Sequence, residues 1–80
     1  MGSFNVVLEN SAEADFRDIP FPFRRQINQR LMRLKEEPRP ADAEHISEAD
    51  KYRLRLHGWR VLYEIDDGRR LVMILAVLKD

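Results

Sequence analysis

Cysteine is absent from this 80-residue chain, glycine occurs three times and histidine twice, and the formal charges cancel, 14 basic against 14 acidic. Without cysteine there is neither a disulfide framework nor a thiolate zinc site, and His45 and His57 alone do not make a metal centre. Three scattered glycines form no phosphate-cradling loop, and Ser3, Ser11 and Ser47 stand in no nucleophile-elbow motif. The longest apolar run, residues 71–78, falls far short of the roughly 20 residues a membrane helix needs. No signal-peptide pattern opens the chain, so the expected location is the cytoplasm. Zero net charge argues against a surface that binds polyanions everywhere. A chain of this length is expected to form one domain, residues 1–80, around one modest core.

What is present is a clear change of period along the chain. Phe4, Val6 and Leu8 alternate with Asn5, Val7 and Glu9, which predicts a half-buried strand. Asn10 with Glu13 three residues on suggests a capping box, opening a short helix that points Ala12, Phe16 and Ile19 inward. Pro20 ends it, because proline cannot donate the helix hydrogen bond, and Pro22 suits the start of a second helix. That helix runs to about Lys35 with Phe23, Ile27, Leu31 and Leu34 as its inward stripe. Residues 36–50 show no period and read as a loop, with Ile46 as its anchor into the core. From Lys51 the period is two: Tyr52, Leu54 and Leu56 face one way, Arg53 and Arg55 the other. His57-Gly58 fits a two-residue hairpin turn, and Trp59, Val61, Tyr63 and Ile65 continue the apolar face. Asp66-Asp67-Gly68 is a strong turn signal. Residues 71–78 are apolar on both faces, as a central strand would be, and this leaves their register open. The predicted fold is α+β in two layers: a helical hairpin on one face of an antiparallel sheet, in the order β-α-α-β-β-β.

The cations are not evenly spread. Arg24, Arg25, Arg30, Arg33 and Lys35 share one acid-free segment, which is either a solvated helix face or a docking surface. Lys51, Arg53, Arg55 and Arg60 share a second. A His57-Gly58 hairpin sets Leu56 opposite Trp59, Arg55 opposite Arg60 and Lys51 opposite Glu64, with Arg53 two residues along on the arginine face. Like charges directly opposed on a sheet are destabilising. Either carboxylates of the 36–50 loop neutralise them, or the guanidiniums converge on an anion, phosphate being the natural one for their planar fork. His57 is a solvated turn residue or a proton-transfer group at the mouth of that face. Trp59 falls on the apolar face, which favours core packing over base stacking.

The hairpin run from Tyr52 to Ile65 (Y-R-L-R-L-H-G-W-R-V-L-Y-E-I) resembles the signature hairpin of the RelE/ParE toxins of bacterial type II toxin–antitoxin systems. Ala12-Glu13-Ala14-Asp15-Phe16 and Leu34-Lys35-Glu36-Glu37-Pro38 are similar to the same family, and the likeness extends over residues 4–77. In its RelE branch the resemblance implies a ribosome-dependent mRNA endoribonuclease that inhibits translation. There the mRNA 2′-hydroxyl attacks the adjacent phosphate and leaves a 2′,3′-cyclic phosphate. Lys51, Arg53 and Arg55 would hold the RNA backbone and Arg60 the scissile phosphate, with no metal or other cofactor. The family's last strand leads into an arginine and, a few residues on, a tyrosine; here Val77-Leu78-Lys79-Asp80 stands in that stretch, with Lys79 as the partial substitute. The catalytic set implied is therefore Arg53, Arg55, Arg60 and Lys79, in an attenuated toxin. The implied partners are the ribosome, mRNA and a cognate antitoxin, in a toxin–antitoxin hetero-oligomer. The antitoxin would dock on Arg24, Arg25, Arg30 and Arg33. Two alternatives stand beside this: a ParE-like inhibitor of DNA gyrase, and a non-catalytic antitoxin-binding module.

Overall fold

The structure, a computed structural model, describes residues 3–46 and 48–80; Met1, Gly2 and Ser47 lie outside the described residues. Strand β1 (Asn5–Leu8) leads into helices α1 (Asn10–Arg17) and α2 (Phe21–Arg33), followed by β2 (Glu44–His45), β3 (Lys51–Leu56), β4 (Trp59–Asp66) and β5 (Leu71–Lys79). They form one five-stranded sheet in the order β1-β5-β4-β3-β2, with both helices on one face. Two features go beyond the sequence pattern. The β1–β5 pair is parallel, so the sheet is mixed, and a two-residue strand from the 36–50 loop adds a fifth member at the β3 edge.

The apolar stripes set this arrangement. Ile27 and Leu31 from α2, Leu34 at its C-cap, Ala12 from α1 and Ile19 from the corner between the helices meet Leu54, Val61, Tyr63, Val72 and Ile74 from the sheet, all essentially buried. Full burial of a large aliphatic side chain contributes roughly 1.5–3 kcal/mol, whereas an exposed ion pair contributes about 0–1. The stripe therefore holds α2 down, and the arginines on its outer side follow. Phe23 does not join the stripe. It is 42% exposed, because Ile19 takes the core position at the corner between the helices. Ile46 does not anchor the loop either: it is 41% exposed, since the His45 ring packs at a tilt against Tyr52 on the helix side and its neighbour Ile46 must point the other way. The loop is pinned instead by Arg39, by Tyr63 donating to the Pro38 carbonyl at 2.8 Å, and by half-buried Ala43. Asn10 makes no capping box. Glu9 is the N-cap of α1, without a side-chain cap bond.

The His57-Gly58 turn takes the left-handed conformation at both residues (φ 52° and 84°), which fixes the two-residue hairpin expected. The next connection is longer. Asp66 faces Leu71, so four residues bridge β4 and β5, and the left-handed residue is Arg70 (φ 54°). Val72 and Ile74 then point inward. At Leu75 the strand bulges: Tyr63 faces Ile74 while Leu62 faces Ala76, so the inward residue becomes Val77. Beyond Ile74, β5 has no strand partner on its β1 side, and α1 serves that edge instead. Ser11 Oγ donates to the Leu75 carbonyl at 2.9 Å, and Asp15 Oδ2 accepts the Val77 N–H at 3.1 Å. One turn apart on α1, these two side chains satisfy the backbone around the bulge.

Candidate functional site: the arginine face of the sheet

The helices cover one face and leave the other open. On that open face β3 presents Lys51, Arg53 and Arg55, and β4 presents Arg60, Leu62 and Glu64. Arg55 lies directly opposite Arg60 and Lys51 opposite Glu64, the pairing expected from the two-residue turn. Arg53 stands two positions from Arg55 on the same side. Toward β5 and β1 the face turns apolar, with half-buried Leu71, Met73 and Ala76 and with Leu78 and Val7 about 40% exposed.

Two of the three guanidiniums carry a carboxylate. Arg53 donates from Nε and Nη2 to Glu44 Oε1, at 3.1 and 2.6 Å, from the edge strand β2. This contact holds the Glu44 carboxyl below the usual carboxylate range. Arg60 Nε lies 3.3 Å from Asp80 Oδ1, in an orientation that makes no hydrogen bond; its N–H is sealed from solvent without an acceptor among the described residues. Arg55 is exposed and makes no hydrogen bond or ion pair among the described residues. Both readings of the cluster thus hold in part: a loop carboxylate does neutralise Arg53, and Arg55 remains available to an anion.

Lys79 does not join the arginines. It pairs across from Trp59, and its ammonium lies 5.9 Å from the indole ring centre, on the helix side of the sheet. The Leu75 bulge is the reason. By reversing the alternation it turns Leu78 and Asp80 to the arginine face and Lys79 away. Trp59 itself is half-buried against the core, as its parity indicated. His57 is at the tip of the hairpin and lines a shallow groove with Gln26, Gln29, Arg30, Arg33 and Leu56, on the side of α2.

The four arginines of α2 have different surroundings. Arg30 binds both carboxylate oxygens of Asp42, at 2.5 and 2.6 Å, which holds the Asp42 carboxyl low. Half-buried Arg24 sits 5.8 Å from the Phe21 ring centre, with an Nε–H that has no partner among the described residues. Arg25 and Arg33 are exposed. Exposed Phe21 (65%) and Phe23 border the same surface, so it is cationic with an apolar end.

Sequence reasoning missed three residues here: Glu44, Asp80 and Arg39. Arg39 donates to the Tyr52 hydroxyl at 2.9 Å, to Asp50 at 3.2 Å and to both oxygens of Asp67 at 3.2 and 2.8 Å, tying the loop to the β4–β5 turn. Asp67, with Asp50 and Tyr52, pushes the Arg39 guanidinium up, and Arg39 in turn holds the Asp67 carboxyl low. Its signal was its place between Pro38 and Pro40, where the backbone has few states to lose.

No curated protein sequence matches the chain. In structure it is similar to the RelBE2 toxin–antitoxin complex of Mycobacterium tuberculosis, with 23% identity over 98% of this chain and 99% of that one and a TM-score of 0.86. The isolated RelE toxin of E. coli is similar at 23% identity, over 96% of this chain and 84% of that one, with a TM-score of 0.86. The intact E. coli RelBE complex is similar at 22%, over 98% of each chain, with a TM-score of 0.87. At these identities the likeness establishes the RelE fold. The model for the ParE toxin of the type II toxin–antitoxin system parDE matches residues 6–80, and the chain therefore belongs to that toxin family, within the RelE/ParE superfamily.

Proposed function

We propose that this toxin acts in the cytoplasm as a slow, RelE-like mRNA endoribonuclease that inhibits translation on the ribosome. The observation that carries the reading is the Arg55–Arg60 pair on an open sheet face, two like charges held in register with Arg53 beside them. Opposed cations cost stability unless an anion uses them. An RNA phosphate flanked by these guanidiniums would have the charge that develops on 2′-hydroxyl attack stabilised by fixed donors, without reorganisation at the moment of reaction. Arginine hardly deprotonates, so these side chains bind and stabilise charge and do not act as bases. Slowness follows from Lys79: its place beside Trp59 leaves the departing 5′-oxygen without a cation from the last strand.

The RelB–RelE complexes among the similar structures support an antitoxin partner. An acidic, amphipathic segment suits the α2 surface, where Phe21, Phe23 and Arg25 are exposed in the first turns and Arg33 at the far end. The match to the ParE model favours one second reading, an inhibitor that binds DNA gyrase and cuts nothing.

The deciding experiment incubates the toxin with mRNA-programmed ribosomes, maps 3′ ends for 2′,3′-cyclic phosphate, and runs gyrase supercoiling in parallel. Cleavage that is lost in Arg55→Gln and Arg60→Gln supports the proposal. Gyrase inhibition without cleavage would replace it with the second reading.

A further inference from the structure

Resting on that RNA reading, we infer that Glu44 and Asp80 are resident counter-ions of the arginine face. RNA binds by exchanging consecutive phosphates for these two carboxylates, with Arg55 as the point of entry. Counting the charges on this part of the face, Lys51, Arg53, Arg55 and Arg60 stand against Glu44, Glu64 and Asp80: four less three, a residue of one positive charge. That is too little field to hold a single phosphate firmly in water.

The two carboxylates are placed to leave. Their side chains are 61% and 37% exposed, so each can return to water at little cost. Glu44 sits on a strand of only two residues at the sheet edge. Asp80 is fixed by its backbone, whose N–H donates to the Gly58 carbonyl at 2.8 Å, while its carboxylate stops short of a proper bond to Arg60. The Arg60 Nε–H is consequently an unfilled donor within the face. The atom is shielded from solvent, so a phosphate oxygen gains this hydrogen bond, which Asp80 does not make, by taking the Asp80 carboxylate's place.

Exchange of this kind discriminates by valence. A mononucleotide meets Arg55 as the one guanidinium of this face without a carboxylate among the described residues, with exposed Lys51 four positions along the same strand. A strand that first contacts Arg55 presents its neighbouring phosphates to Arg53 and Arg60 at high effective concentration, and so displaces both carboxylates. The ligand class is therefore single-stranded RNA rather than free nucleotide.

The test measures binding of a short 2′-O-methyl oligoribonucleotide, which cannot undergo 2′-hydroxyl attack, against salt concentration. The proteins are wild type, Glu44→Gln, Asp80→Asn, Arg55→Gln and, as a control on α1, Glu13→Gln. Each carboxylate variant should bind roughly two- to fivefold more tightly at low salt. Its slope of log affinity against log salt should steepen by up to about 0.7, because no freed carboxylate remains to offset one neutralised phosphate. Thermal midpoints should fall by no more than an exposed ion pair contributes, and Glu13→Gln should bind as wild type does. Wild-type affinity and slope in both carboxylate variants, with Arg55→Gln weakened, would overturn the counter-ion role and leave the RNA reading standing. Binding indifferent to Arg55 in every protein would overturn both.

Discussion

Asp15 faces neither the arginines nor the docking surface of α2, yet the geometry of the last strand depends on it. Replacing it with alanine removes the carboxylate that accepts the Val77 N–H at 3.1 Å. A hydrogen bond to a charged acceptor contributes about 1.5–3 kcal/mol, and a donor left unpaired in a partly buried position loses most of that. Against this, alanine is the better helix former, by up to about 0.7 kcal/mol. The net expectation is a loss of about 1–2 kcal/mol. For a domain of this size that lowers the melting temperature by roughly 4–8 °C per kcal/mol. Asp15→Asn keeps an acceptor and a similar helix propensity, so it should lose less than half as much. The assay is paired thermal and urea unfolding of both variants, with hydrogen exchange read at the Val77 amide. Faster exchange confined to Val77 and its neighbours would locate the effect at the bulge. Equal stability of Asp15→Ala and wild type, or protection unchanged at Val77, would refute the claim that α1 holds this edge.

Four further outcomes are expected. Ile27→Ala, emptying a fully buried site in α2, should cost about 2–5 kcal/mol in urea unfolding and leave little net stability in so small a domain. Tyr63→Phe should cost roughly 0.5–1.5 kcal/mol by stranding the Pro38 carbonyl, with chemical-shift changes in the 36–43 loop rather than in α1. The Asp67 carboxyl is depressed in the folded protein by Arg39, so its contribution is present above the unfolded value of about 3.9 and lost as pH falls through the lower folded value. An NMR titration should therefore show Asp67 ionising below that value in wild type and returning to it in Arg39→Met. Arg25→Glu should slow association with the cognate antitoxin and flatten its salt dependence in stopped-flow measurements, with folding unchanged.

The hairpin was the most legible part of the chain. A two-residue turn with alternating side chains allows one register, and the pairing and facing of Arg53, Arg55 and Arg60 followed from it. The last strand was illegible for the opposite reason. Residues 71–78 are apolar on both faces, so no pattern marks where the alternation reverses. Continued regularly from Val72 and Ile74, it would have put Lys79 with the arginines. The marker of the bulge lies 64 and 62 residues away in Ser11 and Asp15, as a tertiary contact that no local period carries. Glu44 escaped notice because two residues are too short a strand to show a period. Phe23 and Ile46 misled in the same way: each is apolar at a position where a nearer residue already filled the core or packed against it.

The bulge at Leu75 also bears on how this strand can be compared with others. It is one residue of slack: with Leu75 removed, Ile74 and Ala76 would pair as ordinary neighbours against Tyr63 and Leu62, and everything downstream would keep its side. The strand should therefore tolerate a single deletion there, while a single insertion would reverse the tail and bring Lys79 round to Arg60. Positions counted forward from the β4–β5 turn drift by one past Leu75, and positions counted back from the Arg60–Asp80 contact do not. Correspondence between this chain and a toxin with a regular last strand is thus set by a one-residue gap at the bulge, and the residue that inherits the place beside Arg60 is assigned by facing rather than by number.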